Sequence, residues 1–67
     1  MKVVVNGSQR ELQNGATVVD AIAAAGAEPR RGMAVAVDGE VVPRTAWAAT
    51  ELDEGQAIEV LEAKQGG

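Results

Sequence analysis

The sequence predicts an α+β fold, in which a mixed sheet of about five strands carries one main helix across one face. Short runs rich in Val and Ile are separated by Asn-Gly and Asp-Gly pairs, which are typical of tight hairpin turns. One helix-like segment follows the first hairpin. With 67 residues, the chain has room for a single domain. We expect that domain at residues 1–62 and a flexible tail at 63–67.

The first hairpin is predicted at residues 1–5 and about 9–13, with its turn at Asn6-Gly7. Both turn residues tolerate a positive φ. Because side chains alternate along a strand, Met1, Val3 and Val5 share one face and Val4 points to the other. We therefore expect the odd-numbered set in the core.

A short helix is predicted at residues 18–25. Thr17 is suited to the N-cap, Asp20 complements the helix dipole in the first turn, and Gly26 follows the last helical residue. Val18 and Ile22 lie at helical spacing, so this face is expected to pack on the sheet.

The third and fourth strands are predicted at residues 33–37 and 40–42, joined by a turn at Asp38-Gly39. Pro43 has no N–H to donate and is expected to end the fourth strand.

The fifth strand is predicted at residues 57–61, after a stretch from 44 to 56 that has no clear periodicity. Ile58 and Val60 alternate with outward-facing residues that include Leu61. The first pair is therefore expected in the core.

Composition excludes several classes of function. The chain has no Cys and no His, which excludes a thiol nucleophile, a Cys or His zinc site and a Ser-His-Asp triad. Its net charge of −4 argues against nucleic acid and anionic membranes as partners and favours a basic protein surface. The apolar runs are too short for a signal peptide or a membrane span, so we expect a cytoplasmic protein.

The predicted tail ends in Gln65, Gly66 and Gly67 and holds no apolar residue larger than Ala. A carboxylate that is activated with ATP has to enter a narrow channel in another protein. Glycine suits that task because it lacks a Cβ, adopts any φ and leaves its carbonyl group unhindered. This pattern favours Gly67 as the reactive residue.

Several motifs together resemble the ThiS family, the sulfur carriers of thiamine biosynthesis within the ubiquitin-like β-grasp superfamily. The resemblance covers the whole chain. It rests on Val5-Asn6-Gly7, residues 17–22, the run from Val35 to Arg44, Trp47, Leu52 before the Gly55 turn, Ile58-Glu59-Val60 and Gln65-Gly66-Gly67. One residue departs from the pattern, because Gln56 stands where the family usually has Asp.

The resemblance implies a reaction sequence in which this chain is a carrier and not an enzyme. An E1-like (ThiF-like) adenylating enzyme converts the Gly67 carboxylate to an acyl-adenylate with MgATP. A sulfur donor such as a cysteine desulfurase then supplies the sulfur of a thiocarboxylate, and a ThiG-like thiazole synthase takes that sulfur. The chain itself is expected to bind no cofactor and no metal.

Three alternatives stay open on the sequence. The chain could carry sulfur for molybdopterin, cysteine or tRNA thiolation, since these pathways also use a terminal Gly-Gly. It could be a ubiquitin-like protein modifier that is conjugated to lysines. It could also be a binding module whose tail has no role.

Four residues are candidates for partner binding or for the core. Val4 and Leu61 are expected on the sheet face opposite the helix, either as a docking pair or as scattered surface residues. Trp47 fits the core better than an exposed interface. Arg44 is either a solvated edge residue or a contact to the adenylating enzyme.

A cluster of carboxylates precedes the fifth strand, at Glu51, Asp53 and Glu54. It could suggest a metal site or a catalytic pair, but a solvated turn is the better interpretation.

Overall fold

The computed structural model describes residues 1–62, which form one mixed sheet with a helix packed on one face. The sheet order is β2-β1-β5-β3-β4; β1 and β5 run parallel, and the other neighbours are antiparallel. The predicted five strands and single α-helix are confirmed. The elements are β1 (Lys2–Val5), β2 (Ser8–Glu11), α1 (Val18–Ala24), β3 (Met33–Val37), β4 (Glu40–Val42), a 3₁₀ helix (Arg44–Ala49) and β5 (Ala57–Glu62).

The two predicted hairpin turns are present and have the same backbone shape. Asn6 and Asp38 have φ values of 50° and 49°, and the glycines that follow them have φ values of 81° and 83°. Two successive residues with positive φ match the right-handed twist of the flanking strands.

The second strand is shorter than the predicted 9–13, because it begins at Ser8 and ends at Glu11. The Leu12 N–H still donates to the Met1 carbonyl oxygen at 2.8 Å, after which the chain turns toward the helix. All four residues of β2 are exposed, as expected for the edge of the sheet.

Helix α1 begins and ends close to its predicted limits. The N–H of Thr17, the N-cap, donates to the Asp20 carboxylate at 2.8 Å, which satisfies a backbone donor at the start of the helix. The helix buries Val18, Ala21 and Ile22 against the sheet. The core cluster comprises Val3, Val5, Val18, Ala21, Ile22, Met33, Val35, Trp47, Leu52, Ile58 and Val60.

The segment without clear periodicity contains the 3₁₀ helix, which supplies the one aromatic residue to the core. Trp47 is 3% exposed, and its indole N–H donates to the Val42 carbonyl oxygen at 2.9 Å. The preferred core interpretation of Trp47 is confirmed. Because this indole is inside, it is not an exposed anchor for a partner.

Within residues 1–62, no helix has the length and the apolar character needed to cross a membrane.

Candidate functional site

The central strand β5 leads toward the predicted reactive residue. It lies between β1 and β3, with Ile58 opposite Val5 and Glu62 opposite Met33. Ile58 and Val60 are buried, so the strand is anchored in the core close to its end. Glu62 is the last described residue and precedes Gly67 by five positions. The predicted tail and its residues Gln65, Gly66 and Gly67 lie outside the described part of the chain.

Side chains from the two hairpin turns hold β5 near its start and near its end. At the start, the Ala57 N–H donates to Oδ1 of Asp38 at 2.9 Å. Near the end, the Val60 N–H donates to Oδ1 of Asn6 at 2.8 Å, and Nδ2 of Asn6 donates to the Val60 carbonyl oxygen at 3.2 Å. Asn6 is therefore a contact of β5 as well as a turn residue.

Leu61 belongs to an apolar surface on the sheet face opposite the helix. Its side chain is 62% exposed, and its register partner on β3 is Ala34. Two residues further along β3, Ala36 pairs with Val41 of β4, which is 76% exposed, and with Glu59 of β5, which is exposed on the same face. We call these four residues, Leu61, Ala34, Ala36 and Val41, the outer patch. Its members share one face because directly paired residues point to the same side of a sheet.

Val41 was not among the sequence candidates, although a signal for it was present. Val42 is half-buried and packs against the core, so its neighbour Val41 has to point outward. The β3 register then places Val41 on the same face as Leu61, with β3 between their strands and an offset of two residues along the sheet.

Val4 lies on the same face as Leu61, as expected, but is not next to it. Its partner on β5 is Ala57, and Val4 itself is half-buried. Ala57 precedes Leu61 by four residues, which corresponds to about 13 Å along the strand. On this face the direct apolar neighbour of Leu61 is Ala34 of β3, and Glu59 lies between Leu61 and the row of Ala57 and Val4.

Arg44 is exposed and lies at the same end of the sheet as the end of β5. Val42, Val35 and Val60 are aligned across β4, β3 and β5. Because β4 and β5 run in the same direction, Arg44 follows Val42 toward the same end of the sheet as Glu62 follows Val60. Its guanidinium carbon is 5.6 Å from the centre of the Trp47 ring. This distance is that of a cation–π contact, in which the charged group of an exposed side chain stays accessible.

Glu62 is also in contact with the loop that precedes β3. Its Oε2 atom lies 3.0 Å from Nε of Arg30, and both side chains are largely exposed. An exposed ion pair of this kind contributes little to stability. It does place an arginine beside the last described residue.

Of the carboxylates before β5, Asp53 and Glu54 lie in the turn, whereas Glu51 forms an isolated β-bridge with Thr17. The Glu54 carboxylate accepts the Lys2 N–H at 3.1 and 3.2 Å, which connects the turn to β1. Residues 1–62 contain no group of three or more His, Cys, Asp or Glu residues that could hold a metal ion.

Gln56, the residue that departs from the family pattern, takes part in the same turn. Its Oε1 accepts the Asp53 N–H at 2.8 Å, and its Nε2 donates to Asp38 at 3.2 Å. This amide therefore joins the turn before β5 to the hairpin turn between β3 and β4.

Comparisons with known proteins identify the family. The ThiS family model matches residues 3–67. The crystal structure of a thiamine biosynthesis protein (ThiS) from Geobacter metallireducens is 29% identical, has a TM-score of 0.78, and is matched over 100% of both chains. The NMR solution structure of a thiamine biosynthesis protein from Geobacter metallireducens is 29% identical with a TM-score of 0.74, over 100% of this chain and 88% of that one. No curated protein sequence matches the chain.

The family match and the topology agree, because one helix on a mixed five-stranded sheet is the ubiquitin-like β-grasp fold of these structural neighbours. The family model covers all but the first two residues. This chain therefore belongs to the ThiS family.

Proposed function

We propose that this chain is a sulfur carrier for thiamine biosynthesis and that Gly67 is the residue that carries the sulfur. The observation that carries the proposal is the family match, which extends through residue 67 and so includes Gly66 and Gly67. The names of the two structural neighbours support thiamine biosynthesis as the pathway. The position of β5 is consistent with this role, because its last described residue lies five positions before Gly67.

The proposed chemistry has two steps. The Gly67 carboxylate attacks the α-phosphorus of ATP and forms an acyl-adenylate, with release of pyrophosphate. A sulfur nucleophile at the oxidation level of sulfide then attacks the acyl carbon, AMP leaves, and a thiocarboxylate remains. Adenylation is needed because a free carboxylate is a poor electrophile, whereas AMP is a good leaving group.

In this proposal the catalytic groups belong to the partner. The adenylating enzyme supplies Mg²⁺ and the cationic groups that stabilise the charge on the α-phosphate and on the departing pyrophosphate. Among residues 1–62 no polar or charged side chain is buried, which fits a carrier better than a protein with its own enclosed active site. The thiocarboxylate then donates its sulfur to thiazole synthase.

Intact mass spectrometry tests the carrier function directly. The protein is incubated with its adenylating enzyme, MgATP and a sulfide source, beside a control chain that lacks Gly67. We expect a mass gain that corresponds to one oxygen replaced by sulfur, in the full chain only. Gly67-dependent ATP consumption without that gain would instead favour a protein modifier. No ATP turnover would favour a binding module.

The pathway is tested by transferring the sulfur. The thiocarboxylate form is offered to a thiazole synthase and, separately, to a molybdopterin synthase and to a tRNA-thiolating enzyme. We expect the thiocarboxylate to be consumed with thiazole synthase only. Consumption with one of the others would assign the chain to that pathway.

We also propose that the outer patch docks on the adenylating enzyme, with Leu61 as its main contact, and that Arg44 is a second contact at the same end of the sheet. Leu61 is exposed, apolar and only six positions before Gly67, so an enzyme that binds Gly67 is expected to reach it. Val4 is assigned a smaller part, because it is half-buried and lies on the far side of Ala57.

Calorimetry with the adenylating enzyme tests the docking surface. Leu61→Asp is expected to weaken binding about tenfold or more, because it places a charge in an apolar contact. Leu61→Met is the matched control and keeps the affinity close to that of the original protein. Val41→Asp shows whether the contact extends to β4. Unchanged affinity for Leu61→Asp would exclude the outer patch as the docking surface.

A further inference from the structure

The hydrogen bonds between β1 and β5 end before β5 does. The Val4 N–H donates to the Gln56 carbonyl oxygen and the Asn6 N–H to that of Ile58, both at 2.9 Å. After Asn6 the chain turns away through Gly7, which has a φ of 81°. On the β1 side, the backbone of the hairpin therefore pairs with β5 no further than Ile58.

The Asn6 side chain supplies the next pair of bonds in this series. In a parallel pair, backbone donors meet acceptors two residues apart, as at Gln56 and Ile58. The next acceptor is the Val60 carbonyl oxygen, and it receives a hydrogen from Nδ2 of Asn6. The Val60 N–H donates to Oδ1 of the same amide. The side-chain amide thus substitutes for a peptide group and extends the pairing of β5 by two residues.

Asp38 provides an internal comparison because it occupies the same position in the other hairpin. Its φ is 49°, against 50° for Asn6, and a glycine follows each of them. Its carboxylate also accepts two hydrogens, from the Ala57 N–H at 2.9 Å and from Nε2 of Gln56 at 3.2 Å. The difference is the place of contact: Asp38 holds the start of β5, and Asn6 holds its end.

We propose that Asn6 is a positioning residue for the reaction at Gly67, because its amide fixes the direction in which β5 leaves the sheet. This inference rests on the proposed carrier function. Val60 precedes Gly67 by seven positions, so the Asn6 contact lies close to the root of the segment that enters the enzyme. On the other side β3 pairs with β5 as far as Glu62. Without the amide, the end of β5 is held from the β3 side only.

We expect the loss of the Asn6 amide to reduce the correct placement of Gly67 in the enzyme and to leave docking nearly unchanged. Reactions between positioned groups lose rate steeply when one of them is misplaced. Docking through the outer patch uses side chains that Asn6 does not contact. If the end of β5 samples more directions, a smaller fraction of docked molecules presents Gly67 correctly, and the rate of adenylation falls by that fraction.

The test compares Asn6→Gly with Asp38→Gly. Both changes keep a residue that tolerates positive φ, and each removes two side-chain hydrogen bonds near β5. Adenylation is measured as pyrophosphate exchange into ATP with the adenylating enzyme, at a temperature where circular dichroism shows both variants folded. We expect Asn6→Gly to lower kcat by about tenfold, as the loss of two net hydrogen bonds allows, with little change in KM. Asp38→Gly is expected to keep the kcat of the original protein.

Two further measurements separate positioning from a loss of stability. Asn6→Asp keeps the acceptor for the Val60 N–H but places an oxygen against the Val60 carbonyl oxygen, so it should also lower kcat. This variant serves as the test if Asn6→Gly does not fold. Amide exchange at residues 60–62 should be faster in Asn6→Gly than in Asp38→Gly. Equal kcat values for the original protein and the Asn6 variants, or equal losses in the Asn6 and Asp38 variants, would overturn the inference. An original protein that is not adenylated at all would overturn the proposed function itself.

Discussion

Trp47 shows how one side chain can determine the core of a small domain. With no Phe and no Tyr in the chain, it is the largest side chain available, and it is 3% exposed. Its N–H is satisfied by the Val42 carbonyl oxygen, so the ring is buried without an unpaired donor. Arg44 stacks on the ring and links this core residue to the end of the sheet where β5 finishes.

Trp47→Ala is expected to destabilise the fold by about 3–5 kcal/mol, since it leaves a large cavity. A domain of this size has a stability of only about 5 kcal/mol, so the variant should retain only about 0–2 kcal/mol and unfold at much lower urea. Trp47→Phe is the control: it keeps an aromatic ring and loses a hydrogen bond worth about 1 kcal/mol. Urea denaturation followed by circular dichroism measures both, because the variants lack the single Trp fluorophore. Equal stability of the Ala variant and the original protein would contradict this role.

Substitution of Gly39 measures how much the backbone conformation of a hairpin turn contributes to stability. Its φ is 83°, and a Cβ added at this position would meet no atom within 4 Å, so a larger residue costs only backbone strain. Gly39→Ala should therefore lower the free energy of unfolding by about 1–2 kcal/mol. Gly39→Asn should lower it less, because Asn tolerates the left-handed region. Urea denaturation that ranks the two variants in the opposite order would contradict the explanation.

Sequence patterns predicted the burial of individual residues well where that burial depends on local alternation along a strand. Alternation placed Val3, Val5, Ile58 and Val60 in the core, and all four are buried. The docking candidates were harder, because the neighbours of Leu61 depend on register between strands. The contact between Asn6 and Val60 joins residues 54 positions apart, and no local pattern in the sequence indicates it.

At the scale of elements, the capping contact of α1 is expected to make a measurable contribution to the free energy of unfolding. The helix has only seven residues, so a bond at its first turn is a large share of its support. Asp20→Ala removes the acceptor of the Thr17 N–H and should cost about 1 kcal/mol in the free energy of unfolding. Asp20→Asn keeps an acceptor oxygen and loses only the charge, so it should cost a few tenths of that. Urea denaturation of the two single variants checks which of them loses more stability. Equal losses in the free energy of unfolding would show that only the charge of Asp20 matters.

The elements that sequence predicted correctly have strong turn signals at their ends. Asn6-Gly7 and Asp38-Gly39 require positive φ at two successive residues, and few other residue pairs tolerate it. The 3₁₀ helix at Arg44–Ala49 was not predicted, because a helix this short has no sustained apolar period. Its position depends on Trp47 entering a space between the sheet and α1, which only the assembled fold defines.

At the scale of the molecule, the sheet joins the two ends of the described chain at its centre. β1 and β5 lie side by side and parallel, and both carry buried residues, at Val3, Val5, Ile58 and Val60. Composition and periodicity predicted the strands but not their order. The same central position that stabilises β5 also gives the proposed carrier residue a rigid base.

This topology predicts the pattern of amide hydrogen exchange. The amides of β5 that are bonded to the backbone of β1 or β3 should exchange only through global unfolding, since β5 is the central strand of the sheet. The edge strand β2, whose four residues are all exposed, should exchange through local fraying and therefore faster. Exchange followed by NMR, under conditions where opening is at equilibrium, gives a free energy of opening for each amide. The β5 values should equal the global free energy of unfolding from urea, and values for β2 that are just as high would show that the sheet opens as one unit with no weaker edge.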